Sequence, residues 1–156
     1  MPAPSPSAAA SGSSAQASPV EQSSVRDELS SLATGLRDVF EETLQVALGH
    51  SATKGACLYS CLLVRAAIKQ STGMRAVVRG GGGEHDGYRD SRGRLHGHSW
   101  VEATSRETGR WVVDITADQF GGPKTLVLPV AQARKHYVPG DQAVIDEHLA
   151  DFSKEE

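Results

Sequence analysis

Residues able to do nucleophilic, acid–base or metal chemistry gather in one part of the chain: Cys57 and Cys61, His96 and His98, Glu102 and Asp114. A thiol becomes an effective nucleophile when an imidazole holds and later donates its proton, and when a carboxylate fixes that imidazole's tautomer. Cys57, His98 and Asp114 supply one of each. His96-Gly97-His98-Ser99-Trp100-Val101-Glu102 reads as a strand, and Arg110-Trp111-Val112-Val113-Asp114-Ile115-Thr116 as its hairpin partner. With the turn centred on Arg106, His98 falls opposite Asp114, Trp100 opposite Val112 and Glu102 opposite Arg110. Alternation puts all six side chains on one face. Opposed Cβ atoms stand ~5 Å apart, close enough for Asp114 to accept a hydrogen bond from the His98 ring. The opposite charges of Glu102 and Arg110 support this register, and Gly109 is where a bulge would shift it by one.

Position along a helix separates the two cysteines. A helix is expected from about Ala56 to Gln70, with Cys57, Cys61, Val64 and Ile68 on one face and Thr72-Gly73 beyond its end. Cys57 lies in the first turn, where unpaired backbone N–H groups and the helix dipole favour a thiolate and could also hold an oxyanion. Cys61, one turn further in, reads as a small buried apolar residue. Two cysteines at this spacing make no disulfide framework, which points to reduced thiols and a cytoplasmic setting.

Two other readings stay open. His96 and His98 form a His-x-His pair that could bind one metal ion, with Asp114 or Cys57 as a further ligand. A non-catalytic binding module would use the same residues only to build its scaffold. In the thiol reading no metal or organic cofactor is needed, and His96 and Trp100 are the candidate substrate-binding residues.

The surrounding elements follow from composition and periodicity. Residues 1–24 are almost entirely Ser, Ala and Pro and read as a disordered tail. A Ser-rich leader of this kind also suits export without a cleavable signal peptide. Residues 25–156 read as one domain. Helical order is expected near Ser24, with Asp27 completing a capping pair. An apolar stripe of Leu29, Leu32, Ala33, Leu36, Val39, Phe40, Leu44 and Ala47 follows, with Gly35 as a weak point and Gly49 as a stop. His50 serves the helix C-terminus, and Ser51 to Gly55 form a polar link. Met74 to Arg79 reads as a strand, and residues 80–93 as a polar, Gly-rich loop or hairpin tip beside the site. The glycines lack the Gly-Lys-Ser/Thr of a phosphate loop. A turn at 117–123, a strand over 125–128, a short helix over 130–136 and a terminal helix over 142–152 complete the chain. His136 and His148 are expected at the surface.

Gly55-Ala56-Cys57 opening an apolar helix, Arg75-Ala76-Val77-Val78, Gly97-His98-Ser99-Trp100-Val101-Glu102 and Trp111-Val112-Val113-Asp114-Ile115-Thr116 together resemble, in order and approximate spacing, the core of the transglutaminase-like superfamily. The likeness covers roughly Gly55 to Phe120. It implies an α+β, papain-like fold in which the nucleophile helix packs on a small antiparallel sheet. It also implies Cys57 as nucleophile, His98 as acid/base and Asp114 as orienter. The implied chemistry is acyl transfer at an amide: peptide hydrolysis, glutamine deamidation or transamidation. A compact bacterial-type cysteine protease or deamidase is the closer analogue. No upstream side chain for an oxyanion is identified; the one candidate, Gln45, sits inside the apolar helix.

The totals narrow the partners. At 156 residues with a net charge of −3, the chain has neither the basic footprint of a nucleic-acid binder nor a polybasic segment for anionic lipid. It carries no run apolar enough to insert in a membrane. A protein or peptide substrate is the partner expected.

Overall fold

The structure, a computed structural model, describes residues 18–49 and 56–154. Most of the Ser/Ala/Pro tail, His50 and the link at 51–55 lie outside the described residues. Helix α1 spans Pro19–Leu48 and begins five residues earlier than the apolar stripe suggested. Its cap is Ser18, whose hydroxyl accepts from the Glu21 N–H, with Pro19 at the first helical position. Ser18-Pro19-Val20-Glu21 is thus an Ser-x-x-Glu start ahead of the Ser24–Asp27 pair. Gly35 does not interrupt the helix. It lies on the exposed side, where its lack of a side chain costs only propensity. Gly49 ends α1 in the left-handed conformation, its N–H bonded to the Gln45 carbonyl. The buried face is also corrected: Val39 is 53% exposed and Ala47 is exposed, whereas Arg37 is buried with Leu29, Ala33, Phe40 and Leu44.

Helix α2 spans Cys57–Thr72, with Gly73 as a left-handed C-cap. The strands are β1 (Arg75–Gly81), β2 (Gly87–Arg89), β3 (Leu95–His96), β4 (His98–Ser105), β5 (Gly109–Asp114), β6 (Leu126–Pro129) and β7 (Tyr137–Val138). A short helix α3 (Val130–Ala133) lies between β6 and β7, and α4 (Gln142–Lys154) follows. The fold is mixed α and β, with two antiparallel sheets ordered β1-β4-β5-β6 and β3-β2-β7.

Strand alternation divides the four-stranded sheet into two faces. Val78, Val101, Ala103, Trp111 and Val113 pack with Leu29, Phe40, Val64 and Ile68 of α1 and α2, and with Ile145 and Leu149 of α4. Trp100 and Val112 point the other way, into a smaller cluster with Tyr88, Ala133 and Tyr137. The second sheet supplies the two tyrosines of that cluster, from β2 and β7.

The Gly-rich segment is built into the fold rather than being only a loop. Gly80 and Gly81 continue β1, and Gly87 opens β2. A Cβ on Gly81 would collide with the Gly87 backbone, and one on Gly87 with the His96 carbonyl. Glycine here permits backbone-to-backbone approach. Beyond it, Asp90 Oδ1 accepts from the Arg92 and Arg94 N–H groups and closes the turn into β3.

Candidate active site

Cys57 is the first residue of α2, and the first helical bond is from the Ser60 N–H to the Ala56 carbonyl. The preceding N–H groups of that turn therefore have no partner within the helix. β4 begins and β5 ends at the same end of the sheet, which brings His98 and Asp114 together beside this turn.

The β4–β5 register differs from the sequence expectation by two. Glu102 pairs with Val112 and Thr104 with Arg110, and the hairpin closes from Ser105 to Gly109. Ser105 Oγ accepts from the Glu107 and Thr108 N–H groups, and Gly109 takes a positive φ of 82°. This longer loop moves the turn centre from Arg106 to Glu107. A shift of two leaves every side chain on its original face. His98 and Asp114 therefore still meet, diagonally, with Nε2 of the ring 2.7 Å from Oδ2 of the carboxylate. Glu102 and Arg110 are no longer opposed and approach only to 3.9 Å.

Both members of this pair are buried. Asp114 Oδ2 also accepts from the Tyr137 hydroxyl at 2.7 Å, and Oδ1 from the Thr116 N–H at 2.9 Å. Burial opposes ionisation of Asp114, but the charge and hydrogen bond of His98, with the Thr116 and Tyr137 donors, hold its carboxyl below the usual range. Burial likewise opposes protonation of His98. The charge and hydrogen bond of Asp114 outweigh it, with help from Cys57, and push the imidazole up to about 9.

With Nε2 committed to Asp114, Nδ1 is the ring nitrogen left to exchange a proton. The Cys57 thiol is half-buried. Burial alone would raise its pKa, yet the hydrogen bond and charge of His98 and the Ser99 N–H bring it below the ordinary thiol value. Cys61 is the opposite case: full burial, with the Asp114 charge, pushes its thiol well up. Burial and the neighbouring charges thus shift the two thiols in opposite directions.

Aromatic rings enclose the imidazole. Phe120 and Tyr88 meet it edge-on, at centroid separations of 5.1 and 5.8 Å, and Trp100 lies tilted at 6.2 Å. Trp100 has no exposed surface, and its indole N–H donates to Glu102 Oε2 at 2.9 Å. It is a wall of the site and not the substrate contact expected of it. Glu102 in turn is held by the two terminal guanidinium nitrogens of Arg134, at 2.8 and 3.0 Å. Gln45 is exposed on α1.

Gly97 separates β3 from β4, so His96 and His98 belong to different sheets and not to one strand face. His96 bonds Asp90 Oδ2 at 2.8 Å and stacks on Phe120 at 4.6 Å. Each histidine thus has its own carboxylate. Among the described residues no three His, Cys, Asp or Glu side chains are grouped to hold a metal ion. His96, partly exposed, stays at the rim.

Two neighbours of the site were not anticipated. Tyr137 orients Asp114 from a strand of only two residues. Gln119, in the short 3-10 turn Ala117–Phe120, brings its amide nitrogen 3.3 Å from His98 Nδ1 and 3.0 Å from the Thr116 carbonyl. The turn carrying Gln119 and Phe120 is tied to α1 by Arg37. That guanidinium bonds both oxygens of Asp118 at 2.8 Å, the Ile115 carbonyl at 2.6 Å and Glu41 at 2.7 Å. A buried arginine on an otherwise apolar helix face thereby fixes the loop beside the imidazole.

Comparison with family models, with curated proteins and with solved structures found no match to this chain.

Proposed function

We propose that this chain is a cysteine-dependent amide hydrolase or acyltransferase of transglutaminase-like type, acting on a protein or peptide. The observation that carries the reading is the buried His98–Asp114 pair set against Cys57, with the thiol brought below and the imidazole above their ordinary pKa values. A thiolate and an imidazolium side by side are the reactants of acyl transfer.

In this mechanism the Cys57 thiolate attacks the amide carbonyl carbon and forms a C–S bond. The carbonyl electron pair moves to oxygen, where backbone N–H groups in the first turn of α2 are available to stabilise it. As the oxyanion collapses, the C–N bond breaks and His98 Nδ1–H protonates the departing amine. Water then attacks the thioester carbon as His98 takes its proton, and the C–S bond breaks to give an acid and return the Cys57 thiolate. An amine attacking in place of water gives a new amide. Asp114 takes up no proton in either step; its carboxylate accepts the ring's Nε2–H and balances the imidazolium. Cleavage, deamidation and transamidation share this thioester and differ only in leaving group and acceptor.

Mass spectrometry of candidate proteins incubated with wild type and with Cys57→Ala tests the proposal. New termini, a glutamine-to-glutamate mass shift or incorporated amine, each absent with Cys57→Ala, supports it and identifies the reaction. Identical products from the two proteins would contradict it.

A further inference from the structure

The face of the four-stranded sheet that carries Trp100 continues into an open groove of about 340 Å³. Arg75, Val77, Arg79, Thr104, Arg110 and Gln142 line it, with Glu102 among them. One rung crosses three strands: Arg75 pairs with Thr104, and Thr104 with Arg110. The usual strand spacing puts the two arginine Cα atoms ~10 Å apart, with the threonine between them. Arg79 lies on the same face four residues along β1, ~13 Å from Arg75.

The charges in this groove are unbalanced. Glu102 is its one lining carboxylate, and Arg134 already holds both its oxygens. Arg79 comes only to 3.6 Å of Glu102, and Arg110 to 3.9 Å. Among the described lining residues, Arg75, Arg79 and Arg110 against Glu102 leave two positive charges in excess, on a chain of net charge −3. Asp146, which is not among the lining residues, accepts from Gln142 Nε2 at 3.0 Å. Three arginines spread over ~13 Å of sheet suit an extended acidic polypeptide better than a bare ion.

We propose that this groove binds an extended acidic segment of a partner polypeptide. One carboxylate is gripped between Arg75 and Arg110 above Thr104, and a second, four residues on, reaches Arg79. Extended chain advances ~3.3 Å per residue, so side chains at i and i+4 share a face and span ~13 Å. Val77, 42% exposed, lies under the residue between them. The inference does not depend on thiol chemistry.

Fluorescence anisotropy with a labelled Glu-Ser-Val-Ser-Glu peptide tests it, using wild type, Cys57→Ala and the double variant Arg75→Gln/Arg110→Gln. Arg75 and Arg110 are exposed, so the double variant keeps the fold. Wild type and Cys57→Ala should bind alike, and the double variant about tenfold more weakly. Affinity should fall as salt is raised from about 0.05 to about 0.2 M. Equal binding by the double variant, equal binding of a Gln-Ser-Val-Ser-Gln control, or no binding to wild type at millimolar peptide would overturn the proposal.

Discussion

His98 and Asp114 meet at 2.7 Å although their strands pair two positions out of direct opposition for them. The diagonal contact commits Nε2 of the ring to the carboxylate and leaves Nδ1 on the side of the Gln119 amide. Burial of both partners makes the ion pair sensitive to pH and to each donor around it.

The first expected outcome is a stability plateau bounded on both sides. The folded value of His98, about 9, lies above the ~6.5 of a free imidazole. Its contribution is therefore complete below pH ~6.5 and lost as pH rises through about 9. Asp114 is depressed below the ~3.9 of a free aspartate, so its contribution is present above that and lost as pH falls through the lowered value. Thermal melts should show Tm falling between pH 7 and 10 in wild type and much less in Asp114→Asn. Parallel curves for the two proteins would count against the pair.

Tyr137→Phe isolates the orienting hydroxyl. Removing a buried donor from a charged acceptor should cost about 2 kcal/mol of stability, read from denaturant melts. The same change should raise the His98 pKa, because a carboxylate with one donor fewer presents more of its charge to the imidazolium. NMR titration of the ring would show this; an unmoved titration with normal stability would mean that the hydroxyl is idle.

Arg37→Met removes the link between α1 and the turn that carries Gln119 and Phe120. Losing this buried, multiply bonded guanidinium takes a charged partner from Asp118 and a donor from the Ile115 carbonyl, for a loss of about 3 kcal/mol. Chemical denaturation gives the number. A loss below ~1 kcal/mol would show that the helix holds that turn by apolar contact alone.

Gly35→Ala should stabilise the protein. The position is exposed, its φ is not positive, and an added Cβ meets nothing within 4 Å. Helix propensity favours alanine by about 0.8 kcal/mol, so Tm should rise by a few degrees. A fall in Tm would place the glycine in a role that the helix geometry does not show.

The sequence carried the parts of the site governed by period and lost those governed by distance. Strand alternation has period two, so His98 and Asp114 shared a face whether the hairpin turned at Arg106 or at Glu107. The start of α2 and the stops at Gly49 and Gly73 rest on local chemistry and were legible in the same way. Ser18-Pro19-Val20-Glu21 was an equally local signal, hidden by the bland composition around it. Arg37 follows Ala33 by four and precedes Phe40 by three, so helical spacing alone placed it on the buried face; its charge argued the other way. Tyr137, Gln119 and the close-packed glycines at 81 and 87 had no such local sign. Their roles exist only once segments remote in the chain lie side by side.

The alkylation rate of Cys57 as a function of pH, followed peptide by peptide alongside Cys61, tests the central claim most directly. Cys57 should react much faster than Cys61 at pH 6–7, and His98→Ala should slow it and move its rise toward that of an ordinary thiol. Equal, slow labelling of the two cysteines, or a Cys57 rate unchanged by His98→Ala, would contradict an activated thiolate.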